Sequence, residues 1–169
     1  MLEAQSALGT TPPFEGEGIS IAEISGFTLT QIAGEEKDLK KALGQLPVFG
    51  IAVEQDGHVL FRVGPSQIWV VGEVVPVKNC FVTPLSSGRS VLKIEGARAR
   101  ELLSACAAID FSADVMVQGR VAMTGIHHTP VLIHCTGEND FQLYVMRSFA
   151  LSVWEWLCDV AKGWEASRL

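Results

Sequence analysis

Turn-forming residues recur so often along this chain that few of its elements can run long. The sequence of 169 residues holds 16 glycines and 7 prolines. Between these breaks lie short runs that alternate apolar and polar residues, together with three apolar stripes at helical spacing. Many short strands and few helices predict an α+β fold, with helices packed on mainly antiparallel sheets. The clearest break is Asp56-Gly57, between strands expected over 50–54 and 58–63. Such a pair supplies the positive φ angles of a tight hairpin.

Residues 1–18 are polar and contain Thr10, Thr11, Pro12 and Pro13, which reads as a flexible arm. An N-terminal α+β lobe is expected over 19–80 and a C-terminal α+β lobe over 81–169. In the first lobe, strands at 19–22 and 27–33 precede a helix. Its stripe is Leu39, Ala42, Leu43 and Leu46, with Glu35 and Glu36 in the first turn and Pro47 at the end. Strands at 50–54, 58–63 and 68–71 follow. Residues 72–88, rich in Pro, Gly, Ser and Val, form the connection. The second lobe reads as a strand at 90–95, a helix at 97–105, a loop at 107–118, and strands at 119–123, 129–135 and 141–146. Ser148 is suited to cap a final helix reaching about residue 162. Phe149, Val153, Trp156, Leu157 and Val160 make its expected sheet-facing stripe. Trp154, about 200° from Trp156 on the helical wheel, is expected to face away.

The formal net charge of −6 argues against a nucleic-acid or acidic-membrane partner. Hydrophobic residues make up 48% and charged residues 19%, the balance of a folded globular chain. No apolar run reaches the ~20 residues of a membrane span. No basic start followed by an apolar run marks a leader, so a cytoplasmic location is expected. Cys80, Cys106, Cys135 and Cys158 form no C-x-x-C pair and read as free thiols. His127 and His128 would point to opposite faces of a strand, and His134 brings no third ligand nearby, so a structural reading is favoured over a metal site. The chain has no G-x-S-x-G elbow, no G-x-G-x-x-G turn and no P-loop. No catalytic residue, cofactor-binding residue or metal ligand is expected in it.

Several segments, taken in order, are similar to one family. Arg62-Val63-Gly64-Pro65 is followed by Trp69. Ser86-Ser87-Gly88-Arg89 leads into a strand ending at Glu95-Gly96, then Ala99-Arg100 and Leu102-Leu103. Ala108-Ile109-Asp110, Gly119, Ala122 and Thr124 come next. The longest stretch is Phe141-Gln142-Leu143-Tyr144-Val145-Met146-Arg147-Ser148-Phe149-Ala150, continued by Ser152 and Val153-Trp154-Glu155-Trp156-Leu157. This set resembles the gamma subunit of heterotetrameric sarcosine oxidase, best over residues 60–163. Pro84 and Met146 depart from it, standing where the family often has Asp and Pro.

The resemblance implies a non-catalytic gamma-type subunit of a sarcosine oxidase or a related N-methyl amino-acid oxidase, packed on a large alpha subunit beside beta and delta subunits. It implies two small lobes of the aminomethyltransferase (glycine-cleavage T-protein) folate-binding type. FAD, FMN, NAD and tetrahydrofolate are expected on the partner subunits and none on this chain. The alternative is a free-standing folate-binding or aminomethyltransferase-like protein.

The candidate partner-interface or pocket residues are Arg89, Thr124, Arg147 and Trp154. Arg89 is suited to a carboxylate on a partner or on folate, or else holds the connection between lobes. Arg147 would pair with Asp110, Glu155 or the alpha subunit, and Trp154 would contact the N-terminal lobe or a partner. A third reading is a small-ligand module working alone. It would require a groove between the lobes near Arg89 and Thr124.

Overall fold

Alternate residues of the run Arg89–Glu95 serve opposite faces of one sheet: Leu92 and Ile94 are buried against helices, and Val91 against a second sheet. A strand apolar on both faces must sit inside a layered fold. The computed structural model describes residues 5–74 and 77–166. In chain order it contains β1 (Phe14–Gly16), β2 (Ile19–Ile24), β3 (Leu29–Ala33), α1 (Glu36–Leu43), β4 (Val53–Gln55), β5 (His58–Gly64), β6 (Gln67–Val71) and β7 (Phe81–Pro84). These are followed by β8 (Arg89–Glu95), α2 (Ala99–Cys106), β9 (Val121–Ile126), β10 (Thr129–Cys135), β11 (Asp140–Met146) and α3 (Ala150–Ala166).

The strands form a six-stranded sheet, β1-β2-β8-β11-β10-β9, and a five-stranded sheet, β4-β5-β6-β3-β7. Every pairing is antiparallel. Helices α2 and α3 cover the outer face of the larger sheet, where Leu102, Leu103, Val153 and Leu157 meet Ile21, Ile94, Phe141 and Leu143. The inner faces meet through Leu29, Phe61 and Trp69 on one side and Val91, Leu132 and Tyr144 on the other. On the outer face of the smaller sheet, Leu39 of α1 packs on Ile32, Leu60, Ile68 and Val70. The order of layers is α–β–β–α, the α+β architecture expected.

The sheets do not divide at the expected boundary between residues 80 and 81. β2, from the first half, pairs along β8 with Ser20 opposite Glu95 and Ile24 opposite Val91. β7, from the connecting segment, pairs with β3. Burial explains the exchange. Ile19 and Ile21 find an apolar surface beside Leu92 and Ile94 only in the larger sheet.

The segment expected as a flexible arm is ordered from Gln5 onward. Leu8 is buried, and β1 forms a hairpin with β2. Glu23 accepts hydrogen bonds from Ser6 Oγ and from the Ala7 amide, the latter at 3.3 Å. These contacts supply what the polar sequence lacks on its own. Residues 1–4 lie outside the described residues.

The last helix is rotated from its expected setting. Ala150, Val153, Leu157 and Ala161 are buried, whereas Phe149 is 45% and Trp156 40% exposed. Trp154 packs at the margin of the main core. Small Ala150 and Ala161 let α3 approach the sheet and α2, and this decides the register over the bulk of Trp156. The helix is entered through a 3-10 turn, Arg147–Phe149. Its N-cap is Met146, without a side-chain hydrogen bond, so Ser148 lies inside the turn and not at its N-cap.

Arg100 of α2 joins several loops. Its guanidinium donates to the carbonyls of Phe111 at 2.7 Å, Met116 at 3.2 Å and Glu138, and it lies over the Phe141 ring. Residues 107–118 are therefore fixed although they carry little regular structure.

Gly96 makes the turn from β8 to α2 at φ 116°. A Cβ there would stand 2.4 Å from the Gly18 carbonyl oxygen. Gly96→Ala is expected to cost roughly 3 kcal/mol or more, combining backbone strain with a clash against main chain. Urea unfolding of the two proteins measures it. A loss under ~1 kcal/mol would contradict the close approach of β8 and β2 ends.

Candidate functional site

Arg89 owes its position to a clamp between the sheets. The 3-10 turn Ser86–Gly88 precedes it, and Ser86 Oγ accepts from the Leu29 amide at 2.9 Å and donates to the Leu29 carbonyl at 3.3 Å. β8 therefore starts directly beside β3. From there the Arg89 side chain reaches over Trp69, its guanidinium carbon 5.2 Å from the ring centroid. Trp69 is itself fixed by its indole N–H, which donates to Gln31 Oε1 at 3.1 Å across the β3–β6 pair. A stack of this kind holds a guanidinium flat without consuming its donors. One donor reaches the Gly88 carbonyl at 3.2 Å. Partial burial lowers the guanidinium's pKa, and no neighbouring carboxylate offsets the shift.

Beside Arg89 lies an open cleft of about 430 Å³ at the mouth of the inter-sheet core. Trp69, Val131, Leu132 and Tyr144 line its depth, and Met123, Thr124, Pro130 and Met146 its rim. Tyr144 donates to Gln142 Oε1 at 2.9 Å, and burial pushes its phenol pKa up. Arg89 and Thr124 both border this cleft, Thr124 from the rim: it pairs with Val131 of the helix-side core, whereas Met123 pairs with Leu132 of the inter-sheet core.

Arg147 lies in a second cleft of about 470 Å³ that shares Arg89 with the first. Its guanidinium donates to the Gln5 carbonyl, not to Asp110 or Glu155, and so fastens the N-terminal segment. Trp154 belongs to neither cleft. It sits in the helical layer against the main core, and the exposed tryptophan of the pair is Trp156. The Trp156 ring stacks on His127, with centroids 4.6 Å apart and planes 26° apart. His127 and His128 form the β9–β10 turn, both at positive φ.

Met123, Met146, Trp69 and Tyr144 are among the cleft residues that sequence reasoning missed. Trp69 was visible as a motif residue but not as a support for Arg89. Tyr144 and Met146 likewise stood in the motif stretch 141–150 but not as cleft residues, and Met123 carries no local signal, since its role comes only from strand pairing.

A third cleft, of about 410 Å³, lies between α1 and the β4–β5 hairpin. Its polar side chains already bind its own walls: Gln55 donates to the Leu43 carbonyl, and the His58 ring hydrogen-bonds with the Glu73 carbonyl at 2.5 Å. It reads as a packing gap.

The titratable groups with the largest shifts are isolated by burial. Burial pushes the Cys106 thiol up to about 11 and the Cys158 thiol up to about 12. Both are thereby held as thiols, unsuited to nucleophilic attack. His134, in the inter-sheet core with its ring 5.1 Å from Phe61, has no hydrogen bond at either nitrogen. Among the described residues no three His, Cys, Asp or Glu side chains converge where a metal could sit. No helix among them is long and apolar enough to cross a membrane.

Burial lowers His134 to about 4, from an ordinary value of about 6.5. Between those values the unfolded chain binds the proton that the folded chain refuses. The associated stability is therefore complete above about pH 6.5 and is lost as pH falls toward 4. His134→Leu is expected to remove roughly 2–3 kcal/mol of the destabilisation seen between pH 7.5 and pH 4.5. Denaturant melts of both proteins at the two pH values test this. An unchanged pH slope would contradict a neutral buried imidazole.

Comparison with known proteins gives these features a context. Among solved structures, heterotetrameric sarcosine oxidase from Corynebacterium sp. U-96, in complex with pyrrole 2-carboxylate, contains a similar chain. The TM-score is 0.78 at 23% identity, over 89% of this chain and 88% of that one. Glycine cleavage system aminomethyltransferase T from Bartonella henselae has the same fold at a TM-score of 0.54 and 16% identity, over 83% of this chain and 45% of that one. No curated protein matches the sequence. The family model described as "Sarcosine oxidase, gamma subunit family" matches residues 70–163, and the chain belongs to that family.

Proposed function

We propose that this chain is a non-catalytic gamma-type subunit of a heterotetrameric sarcosine oxidase, or of a related N-methyl amino-acid oxidase. In this reading it packs on a large alpha subunit, with beta and delta subunits completing the complex in the cytoplasm. The assembly carries out oxidative demethylation of sarcosine. FAD, FMN, NAD and tetrahydrofolate are bound by the partner subunits, and this chain supplies none of the reacting groups.

The observation that carries the reading is family membership across the segment that holds β8 through α3. The side chains support it. Cys106, Cys158 and His134 are each shifted toward the neutral form by burial, as core side chains are. The surface also carries large apolar side chains suited to a partner, among them Phe149 and Trp156.

The alternative, a free-standing folate-binding or aminomethyltransferase-like protein, draws on the shared fold alone. This chain spans 45% of the length of that aminomethyltransferase.

Affinity purification of the tagged chain from its native host tests the proposal. The expected outcome is recovery of large flavin-bearing partners with sarcosine-dependent oxidase activity. A chain recovered alone, and then shown to bind tetrahydrofolate in a titration, would overturn it in favour of the free-standing reading.

A further inference from the structure

The Arg89 cleft contains a cation without a counter-charge. A guanidinium carries five N–H donors and stays ionised in proteins. Arg89 directs one of them at the Gly88 carbonyl and rests its face on Trp69. Among the described residues no carboxylate lies within ion-pair distance of it. The chain as a whole is acidic, with a net charge of −6. A partly buried cation left open on an acidic protein selects for a carboxylate, which accepts two parallel N–H bonds from an arginine fork.

The rim identifies the source of that carboxylate. Met123 is 60% and Met146 41% exposed, and both line the same cleft. Met123 lies on β9, the last strand of its sheet, whose edge is bridged by residues 50–52 at its start, around Arg120 and Val121. A small acid seated on Arg89 would leave both methionines in water. A polypeptide segment carrying one acidic side chain between apolar ones would cover them and fill the groove above Tyr144. Methionine suits such contacts because its flexible thioether adapts to the partner's shape.

We infer that this cleft is a docking surface for the partner subunit, which inserts an Asp or Glu side chain against Arg89 and lays flanking apolar residues on Met123 and Met146. The inference rests on the subunit reading above and names the surface that reading leaves open.

The test uses the chain assembled with its native partner subunits. Arg89→Gln is expected to weaken partner binding by roughly 30-fold or more, the size measured when one member of a desolvated interfacial charge pair is removed. The isolated variant should melt within about 2 °C of the unaltered chain, a shift of no more than about one kcal/mol of stability for a domain this size. Met123 and Met146 should oxidise more slowly with peroxide in the complex than in the free chain, as read by mass spectrometry.

Arg89→Gln binding as tightly as the unaltered chain, or equal oxidation of both methionines in the free and bound states, would overturn the inference. If Arg89→Gln also lowers the melting temperature, Met123→Ser decides. Weaker binding at unchanged melting supports the surface, and unchanged binding overturns it. Phe81→Ser, at an exposed position on β7 of the other sheet, is the control. Loss of assembly there, with none at Arg89, would move the partner elsewhere and overturn the inference. Benzoate binding to the free chain in an Arg89-dependent way, with the methionines still reactive in the complex, would make the cleft a small-acid site and overturn it as well. An unaltered chain that recruits no partner defeats the subunit reading and this inference together. An assembled complex indifferent to Arg89 defeats this inference alone.

Discussion

Antiparallel pairing of β2 with β8 is the contact on which the rest of the structure depends. It joins residues from opposite halves of the chain, so the larger sheet exists only after a long loop has closed. β8 is then flanked by β2 and β11 and becomes an interior strand. Its two faces serve the helical layer and the inter-sheet core at once. Gly96 at its end permits the close approach to Gly18, and the Ser86 clamp at its start ties it to β3. A strand held at both ends in this way places Arg89 at a fixed point between the sheets.

The cleft is a consequence of that placement. Two twisted sheets packed face to face separate toward their edges, and the inner-facing side chains there are only partly covered. Trp69 and Tyr144 fill most of the gap, and Arg89 lies across the tryptophan face where an aliphatic chain would have closed it. The neighbouring cleft is narrowed by the N-terminal segment, which Arg147 and Glu23 hold down. One arginine therefore closes a surface by binding the carbonyl of a distant segment, while the other bonds only the adjacent Gly88 carbonyl and rests on Trp69.

Two polar side chains away from the clefts are accommodated in opposite ways, half-buried Arg100 by hydrogen bonds and buried His134 by staying neutral. Arg100 is fully engaged with loop carbonyls, which fixes residues 107–118 without a helix or strand. His134 makes no hydrogen bond and is accommodated as a neutral ring against Phe61 and within reach of the aromatic cluster. Its cost is expressed as pH-dependent stability.

By itself the sequence determined the fold class, most strands and helices, and the family, because these depend on local periodicity, turn chemistry and motif order. The hairpin at Asp56-Gly57 and the strand Thr129–Cys135 were legible from a few adjacent residues. Tertiary structure decided which sheet each strand joins and which side of α3 is inside. β2 and β7 crossed the expected boundary because the apolar partners of Ile19 and Ile21 lie in the other half of the chain. Trp154 and Trp156 exchanged roles because helix-to-sheet distance is set by the small residues Ala150 and Ala161, which a size-weighted stripe overlooks. The rim of Met123 and Met146 likewise appears only when β9, β10 and β11 are laid side by side. Periodicity belongs to a single strand, whereas pairing order is a property of contacts distant along the chain.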